Sequence, residues 1–450
     1  MDRRKFLTNT GTAFAGAMLS HPVSVNGGHA ARGKRMKAAL VGTGVRGVSM
    51  FGRDLVRDYH PYVDLVGLCD VNPGRLRYAA EYIGAGCPAF TDLDELLSKQ
   101  KPDTLIVTTT DSSHHEVIIR GLERGCDIIT EKPLTIDEVK AQAILDAERK
   151  SGKKVIVTFN YRYPPYREKI KELLMQGLVG EIQAAEFHYY LDHSHLTRYM
   201  QRWHGERRFG GSLWVHKATH HFDMANWYLD SEPEQVFAHA SLERFGKNSP
   251  FRGENCRRCA HTSECPYYWD ISQDAHYTGL YTSNEHYDGY IRDNCVFRPE
   301  IDIFDKHAAL VRYANGVQLS YVLTGHSDVQ GYYLAFDGTR GRLEARVGGV
   351  PEKPYNELIF IPESRFSDRE TRIFKAEHKP GGHWGGDPIM MDKLFRNPDM
   401  PDPLGQQAGV RDGVMSILIG IAARKSCDTG LPVNIADLTD LVPRKQRTTR

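Results

Sequence analysis

The stretch that decides the fold is Lys37-Ala38-Ala39-Leu40-Val41-Gly42-Thr43-Gly44-Val45-Arg46-Gly47. Its first five residues form a short apolar run typical of a buried strand, and the glycines follow at the spacing G-x-G-x-x-G. In that setting the first glycine permits a tight turn, the second lets the backbone approach a pyrophosphate, and the third lets helix and strand pack closely. The helix start offers free N–H donors to phosphate. We therefore predict a dinucleotide site formed by Gly42, Thr43, Gly44, Val45, Arg46 and Gly47.

A carboxylate follows the next apolar run. Residues 63–69 have the pattern of a second strand, and Asp70 stands directly after it. At that place an acid accepts hydrogen bonds from the adenosine ribose hydroxyls. It favours NAD because a 2′-phosphate would be repelled, although Arg46 and Arg75 are close enough in sequence to keep NADP open. We predict bound NAD, with NADP as the alternative.

Strand and helix patterns alternate through the N-terminal third of the chain. Such alternation predicts a parallel sheet with helices on both faces. The protein is therefore predicted to be α/β, with a Rossmann domain over residues 34–160. The predicted strands are residues 37–41, 63–69, 104–108, 127–130 and 155–159, and the helices are 73–83, 114–125 and 136–151.

The pattern changes after residue 161. A strand is predicted at 181–191 and a helix at about 215–228, and residues 308–313 and 317–323 flank the hairpin signal Asn315-Gly316. We predict that residues 161–450 form an α+β substrate and dimerisation domain with a largely antiparallel open sheet. The apolar residues 410–423 have the length of a final helix.

The charge balance excludes two classes of partner. The 450 residues carry 58 basic and 57 acidic side chains, for a net charge of +1, which provides no electrostatic case for nucleic acid or an anionic membrane surface. The chain is 26% charged and 40% hydrophobic, and no apolar run is long enough to cross a bilayer. These values predict a globular protein without a membrane span in its mature form.

The N-terminus has the layout of an export signal. Arg3-Arg4-Lys5-Phe6-Leu7 precedes a mildly apolar, Ala/Gly-rich stretch at residues 11–19, as in twin-arginine signals. The alternative is a basic N-terminal helix or arm. We predict that residues 1–33 are a twin-arginine signal peptide and that the protein is periplasmic.

A second motif stands at the carboxyl end of the strand 127–130. Glu131-Lys132-Pro133 follows that strand, so Lys132 is expected at the sheet edge where ligands bind in open α/β folds. With the glycine turn, Asp70, and Thr108-Thr109-Thr110 before a helix carrying His114-His115-Glu116, this order resembles the Gfo/Idh/MocA oxidoreductase family over most of residues 36–345. The resemblance implies a sugar or polyol dehydrogenase. The cofactor-binding prediction therefore also includes Arg75, Thr109, His114, Glu131 and Lys132.

The family resemblance also implies a catalytic histidine. Members carry an Asp-x-x-x-His pair in the second domain, and His220 falls on that histidine while His216 replaces the aspartate. On one helix residues 216 and 220 share a face, with Lys217 and Asp223 on the same side. A neutral histidine there could take the hydroxyl proton as hydride leaves the same carbon. We predict Lys132 and His220 as proton-handling residues, and Lys217 and His216 as substrate or orienting contacts; the alternative is a polar helix satisfied at a domain interface.

Two further segments remain open to two interpretations each. The glycine-rich residues 381–387 are either a substrate loop, with Trp384 stacking on a sugar face, or a turn with Asp387 as N-cap of the next helix. The insertion at about 246–299 carries Cys256, Cys259, Cys265 and Cys295 at spacings that suit a tetrahedral structural zinc, with His261 as a substitute for one ligand. An exported protein favours disulfides, but a twin-arginine substrate travels folded, so a metal or iron–sulfur cluster loaded beforehand is the alternative. Its aromatic residues suit either a sugar-binding rim or a small core.

Location bears on the predicted mechanism. Outside the cytoplasm no replenished pool of soluble NAD is expected, so the cofactor should stay bound. We expect an NAD(P)-dependent oxidoreductase acting on a carbohydrate or polyol hydroxyl. The alternatives are redox-neutral glycoside cleavage by transient oxidation and elimination, or a non-catalytic sugar-binding protein that bears the cofactor. The open sheet of the second domain suits a homo-oligomer.

Overall fold

The computed structural model describes residues 35–350, 353–365, 370–375, 377 and 379–447. The predicted twin-arginine segment, residues 1–33, lies outside the described residues. Within the described part, no helix combines the length and the apolar character that a membrane span requires.

The first sheet has seven strands in the order β15-β6-β5-β4-β1-β2-β3. Strands β1 to β6 run parallel, as a Rossmann fold requires, and β15 joins the edge antiparallel to β6. The central strands β1 and β4 are buried because helices cover both faces. The strands are β1 Met36–Val41, β2 Val63–Cys69, β3 Ala89–Phe90, β4 Thr104–Val107, β5 Asp127–Thr130, β6 Val155–Val157 and β15 Ala408–Gly409.

Side chains cap three of the helices around this sheet. Asn72 accepts from the amides of Gly74 and Arg75, and Asp92 and Asp137 cap the helices that begin at Leu93 and Glu138 in the same way. A π-helical turn, Gly47–Asp54, opens the helix after the glycines and continues into α1. The helices are α1 Leu55–Tyr59, α2 Pro73–Ile83, α3 Leu93–Gln100, α4 His114–Glu123 and α5 Glu138–Ser151.

The second sheet has nine strands in the order β14-β13-β12-β11-β7-β10-β9-β8-β16. Only the β7–β10 pair is parallel among the described pairings, so the prediction of a largely antiparallel sheet is confirmed. The strands are β7 Ile182–Asp192, β8 Pro233–Ser241, β9 Lys306–Tyr313, β10 Gln318–Ser327, β11 Gln330–Gly338, β12 Gly341–Val350, β13 Lys353–Pro362, β14 Arg372–Lys375 and β16 Val433–Asn434.

Of the remaining helices, α7 and α10 contact β7 of this sheet, whereas α11 contacts α2 beside the first sheet. The C-terminal helix α14 follows β15 of the first sheet and packs against β8 of the second, so it joins the two layers. These helices are α6 Pro165–Met175, α7 His193–Gln201, α8 Arg207–Gly210, α9 Leu213–His216, α10 Thr219–Leu229, α11 Ala275–Leu280, α12 Glu285–Asp288, α13 Gly386–Met391 and α14 Val410–Thr429.

The helix predicted at residues 215–228 is wrong in one respect, because the structure breaks it into α9 and α10. The amide of Ala218 bonds to the carbonyl of Leu213, five residues back, which ends the regular helical register. His216 and His220 therefore lie in different helices and contact different groups.

Candidate active site

The glycine turn has the shape that a dinucleotide site needs. Gly42 has a φ of 95°, and a Cβ there would lie 2.6 Å from the backbone of Thr108. A Cβ on Gly47 would lie 2.3 Å from the Gly42 carbonyl oxygen, so these two glycines are required by packing. The hydroxyl of Thr109 is buried beside the turn and has no hydrogen-bond partner in the part of the chain that is described. The turn and this unpaired hydroxyl fit a bound dinucleotide.

Asp70 braces the turn. One carboxylate oxygen accepts from the Thr43 amide at 2.7 Å and the Thr43 hydroxyl at 2.9 Å. The other accepts from the Asn72 amide at 2.8 Å and from the Arg75 guanidinium at 3.3 Å. These four donors use the roughly four acceptor positions of a carboxylate. A ribose hydroxyl must therefore replace one of them, and Arg75, which also pairs with Asp288 at 2.5 Å, is the one held by a flexible side chain.

The insertion covers this turn, which the sequence analysis did not foresee. The Tyr281 hydroxyl accepts from the Val45 amide at 2.8 Å, and the Arg292 guanidinium lies 4.6 Å from the Tyr281 ring centre. Asn72 donates to the Asn284 carbonyl at 2.9 Å. Tyr281 therefore accepts the hydrogen bond that the turn would otherwise offer to a phosphate oxygen.

Arg46 connects the turn to two other segments. Its guanidinium donates to Glu131 at 2.7 Å and to both carboxylate oxygens of Asp387 at 3.1 Å. His114, at the start of α4, approaches the carbonyl oxygens of Pro133 at 2.8 Å and Thr109 at 3.1 Å with its two ring nitrogens. Arg46 and His114 thus position the loop around Lys132, and their predicted cofactor contacts stay predictions.

Half-buried Lys132 lies at one end of a chain of three polar groups, of which His216 and Asp111 are buried. Its ammonium is 3.4 Å from Nε2 of His216 and donates to the His216 carbonyl at 3.1 Å. Nδ1 of His216 is 2.6 Å from the carboxylate of Asp111, in the turn after β4. With Nδ1 as the donor to Asp111, Nε2 is free to accept from Lys132.

The electrostatics of this chain suit proton transfer. Burial lowers the pKa of Lys132 to about 8, and burial raises the pKa of Asp111 although Lys132 opposes that rise. Burial, reinforced by Lys132, holds the pKa of His216 well below its usual range, so the imidazole is neutral. The pKa of Lys132 is lowered and that of Asp111 is raised, so the two values lie closer together than in water. The neutral imidazole of His216 connects the two groups.

Tyr161 lies at the centre of a second group. Its hydroxyl accepts from the Lys217 ammonium at 3.1 Å, and its ring stacks on His220 with 4.0 Å between centroids. Although burial raises it, the pKa of Tyr161 is lowered to about 7 by the charges of Lys217 and His383. Burial, with Lys132 nearby, holds the pKa of His220 well below its usual range. Tyr161 is therefore a phenol that can exchange a proton near neutral pH.

The loop at residues 379–387 completes the site. The ring centroid of His383 lies 5.7 Å from Tyr161 and 6.4 Å from His220, and Trp384 lies 6.4 Å from Tyr161. Nδ1 of His383 is 2.9 Å from Asp387 and also 2.9 Å from the Asn160 amide. This arrangement agrees with the substrate-loop interpretation. Gly385, and not Asp387, is the N-cap of α13.

The structure brings the four predicted catalytic residues together, in two pairs. Lys132 contacts His216, and Lys217 and His220 both contact Tyr161. Asp223 does not join them, because it forms a buried ion pair with Arg162. The sequence analysis missed two side chains of the site, Asp111 and Tyr161, and it included His383 only as part of the loop 381–387. Asp111 follows β4 and Tyr161 follows β6, and residues after the carboxyl ends of parallel strands commonly contact ligands, so their positions could have predicted them.

The prediction of a tetrahedral zinc is not supported. No group of three or more His, Cys, Asp or Glu side chains is arranged around a single ion in the residues that the structure describes. All eight cysteines are free thiols, so the disulfide alternative is not formed either.

Both halves of the chain match one family. Residues 36–159 match the oxidoreductase family model for the NAD-binding Rossmann fold, and residues 171–435 match the model for its C-terminal alpha/beta domain. The chain belongs to the Gfo/Idh/MocA oxidoreductase family. It is accordingly an NAD-binding oxidoreductase, and the resemblance predicted from the motifs is confirmed.

Relatives of this family member include dehydrogenases of inositols and sugars. YteT of Bacillus subtilis (strain 168), which is named as an oxidoreductase, is 34% identical over 422 residues, or 88% of this chain and 97% of YteT. The inositol 2-dehydrogenase/D-chiro-inositol 3-dehydrogenase of Lactiplantibacillus plantarum is 24% identical over 44% of this chain and 54% of its own length. The D-glucoside 3-dehydrogenase of Escherichia coli (strain K12) is 28% identical over 33% of this chain and 44% of its own length.

Solved structures share the fold. Levoglucosan dehydrogenase in complex with NADH and levoglucosan has a TM-score of 0.64 at 19% identity, covering 89% of this chain and 100% of that one. An oxidoreductase from Agrobacterium radiobacter in complex with NAD+, L-tartaric acid and magnesium has a TM-score of 0.63 at 16% identity, covering 90% and 100%. At these identities the likeness shows the fold alone.

The pair formed by His216 and Asp111 differs from the family pattern at position 216. The aspartate that the family resemblance implies at position 216 is absent, and the carboxylate comes instead from Asp111, 2.6 Å from the His216 ring. The site therefore has a carboxylate connected to Lys132, through an imidazole.

Proposed function

We propose that this chain oxidises a ring hydroxyl of a carbohydrate or polyol and that its NAD is tightly held. The observation that carries the proposal is the Tyr161–Lys217 pair, a phenol with a pKa of about 7 whose charge also acts on Lys132. Relatives named as inositol and glucoside dehydrogenases support the substrate class.

The chain's own residues handle the proton. Tyr161 as phenolate accepts the proton of the substrate hydroxyl, and the Lys217 ammonium at 3.1 Å stabilises that phenolate before the transfer. Lys132 donates a hydrogen bond to the reacting oxygen and is connected through His216 to Asp111. NAD, when bound, supplies the hydride acceptor. His383 and Trp384 form the outer wall on which a sugar would rest.

The test starts with the nucleotide that copurifies. The folded protein is denatured, the released nucleotide is identified by mass, and the intact protein is then mixed with inositols, glucosides and levoglucosan while reduced nicotinamide absorbance is followed. We expect stoichiometric NAD and a reduction signal with at least one sugar. Absence of nucleotide would refute the tightly held cofactor, and bound nucleotide with no signal and no product for any sugar would refute the oxidation and favour the non-catalytic alternative.

A second candidate function rests on His383. Nδ1 of His383 is 2.9 Å from Asp387, which makes a second imidazole–carboxylate pair facing the same space as Tyr161. We propose that this pair removes a C–H proton acidified by oxidation at the neighbouring carbon. The glycosidic substituent then leaves with its bonding electrons and takes up a proton, water adds to the unsaturated ketone, and the hydride removed in the first step is returned to the ketone. Aglycone release without net NADH selects this course, and NADH accumulation without aglycone release selects dehydrogenation.

We also propose export in the folded state with the cofactor in place, from the N-terminal Arg3-Arg4 pair. Replacement of both arginines by lysine should retain the protein in the cytoplasm, as measured by fractionation. Periplasmic recovery of that variant equal to that of the unaltered protein would contradict export by this route.

A further inference from the structure

Arg202 and Arg292 have no carboxylate partner among the residues that the structure describes. Arg202 directly follows α7, and Arg292 belongs to the insertion. Arg292 is buried and Arg202 is half-buried. By contrast, the buried Arg162 donates to the carboxylate of Asp223 at 2.8 Å. A buried guanidinium without such a counter-charge is costly, so the two arginines need their own explanation.

The two guanidiniums leave most of their donors available. Nε of Arg202 donates to the Arg198 carbonyl at 2.5 Å. One terminal nitrogen of Arg292 lies 3.4 Å from the Tyr290 hydroxyl, and Nε of Arg292 is buried without a partner in the described part of the chain. Each guanidinium has five N–H donors. A buried donor that the protein does not pair indicates an acceptor supplied from outside the chain.

The charges of the two arginines repel each other. Burial, and after it the charge of Arg292, lower the pKa of Arg202 to about 10. The Arg292 guanidinium lies 4.6 Å from the ring centre of Tyr281 and 5.1 Å from that of Tyr277. These rings attract a cation but carry no full negative charge. An anion placed between the two guanidiniums would relieve the repulsion, and the pair therefore fits an anionic ligand.

Arg202 acts on the groups that handle the proton. Burial raises the pKa of Asp111, and Arg202 is among the cations that oppose that rise. The ring centroid of His204, two residues after Arg202, lies 4.1 Å from that of His216. Nδ1 of His204 is a further buried atom for which the described residues provide no partner. An anion bound by Arg202 therefore belongs to a molecule that lies near the chain formed by Lys132, His216 and Asp111.

The dinucleotide has a different place for its own negative charge. In a Rossmann fold the diphosphate binds at the glycine turn and the helix start after the first strand. Gly42 and Gly47 form that turn here. The reacting hydroxyl of the substrate, however, must reach Lys132 and Tyr161. Because Arg202 acts on that end of the site, its anion is better explained as part of the substrate.

We propose that Arg202 and Arg292 bind the carboxylate of a sugar acid, such as a uronic acid or its glycoside, while a ring hydroxyl of the same molecule lies at Lys132 and Tyr161. Guanidinium groups bind planar carboxylates through pairs of charge-assisted N–H···O bonds. The inference rests on the proposed function and narrows its substrate class from carbohydrates in general to acidic ones. A neutral sugar in the same place leaves both cations unpaired.

Binding is measured first, so that the result does not depend on turnover. The NAD-loaded full chain is titrated in a calorimeter with D-glucuronate, D-galacturonate and their methyl glycosides, and with the corresponding neutral sugars. We expect at least one acid to bind at least about 100-fold more tightly than its neutral counterpart, as two charge-assisted contacts imply. No preference for any of the acids would overturn the proposal.

Variants assign the preference to the two arginines. Arg202→Gln and Arg292→Gln should each lower the affinity for the acid at least about tenfold more than the affinity for its neutral counterpart. Arg208→Gln, an exposed arginine that pairs with Glu206 at 2.7 Å, removes the same charge and should keep the preference. If the buried Arg292 variant does not fold, the half-buried Arg202 variant decides. Weaker NAD binding in Arg202→Gln with an unaltered acid preference would assign the pair to the cofactor diphosphate and contradict the proposal.

Turnover separates the carboxylate site from the proposed function. Oxidation of acids and neutral sugars with equal kcat/KM would retain the oxidation and refute the carboxylate site. Tight binding of an acid that depends on Arg202 but gives no product and no reduced nicotinamide would retain the carboxylate site and refute the oxidation.

Discussion

Tyr161 accepts a hydrogen bond from the Lys217 ammonium, and its lowered pKa implies a pH dependence. Activity should rise with pH through about 7 as the phenolate forms, and fall above about 8 as Lys132 loses the proton that it offers to the reacting oxygen. We expect a bell-shaped profile of kcat/KM with limbs near these values. Tyr161→Phe should remove the acidic limb and lower kcat/KM by at least about 100-fold. Tyr199→Phe, an aromatic neighbour without the Lys217 bond, is the matched control.

An acidic limb that survives in Tyr161→Phe would show that another group is the base. In that case His220, which stacks on Tyr161, is the next group to test.

The pair formed by His216 and Asp111 can be tested by moving the carboxylate to position 216. His216→Asp restores the family's residue but sets a second carboxylate against Asp111 in a buried site, where like charges are costly. We expect kcat/KM to fall at least about tenfold. Asp111→Asn in the same chain removes one carboxylate and should recover part of that loss. No recovery in the double variant would mean that the two side chains do not act as one unit.

At the scale of elements, the insertion contacts the glycine turn through Tyr281 and Asn284. The Tyr281 hydroxyl occupies the Val45 amide, so NAD must replace that hydrogen bond when it binds. Tyr281→Phe leaves the amide unpaired, and NAD should bind about 2- to 10-fold more tightly, the value of one hydrogen bond of roughly 0.5–1.5 kcal/mol. Titration of nucleotide-free protein measures this dissociation constant.

Tyr277→Phe is the control for the Tyr281 prediction. The ring centroid of Tyr277 lies 6.1 Å from that of Tyr281. In Tyr277→Phe the Val45 amide stays bonded to Tyr281, so NAD binding should not change. Weaker NAD binding in Tyr281→Phe would instead make Tyr281 a cofactor-binding residue.

At the scale of the whole molecule, α14 joins the two sheets. A Cβ on Gly420 would lie 2.3 Å from the carbonyl oxygen of Trp214, a backbone atom that cannot move alone. Gly420→Ala should therefore lower the free energy of unfolding by about 1–2 kcal/mol, since overpacking of about 1–3 kcal/mol exceeds the gain from alanine in a helix. Denaturant unfolding measures the change. Gly409→Ala, whose Cβ would meet nothing closer than 4.0 Å, should be near neutral, and equal effects would contradict the explanation.

The sequence by itself determined the alternation of strands and helices, and with it the parallel sheet, because local hydrophobic periodicity and glycine spacing depend on neighbours in the chain. Strand β2 and helix α2 begin and end at the predicted residues. Lys132 and His220 were likewise predictable, since motif position relative to a strand end or a family pattern identifies them.

Only the tertiary structure decided which side chains meet. The Asp111–His216 pair, the Tyr161–Lys217 pair and the Tyr281 contact with Val45 join residues 105, 56 and 236 positions apart. Such contacts depend on how layers pack, and no local pattern encodes them. The break between α9 and α10 is also absent from the sequence pattern, because the Ala218 amide bonds to the Leu213 carbonyl, five residues back, where the periodicity predicts one continuous helix. His216 and His220, which were predicted to share one helix face, therefore contact different partners, Asp111 and Tyr161.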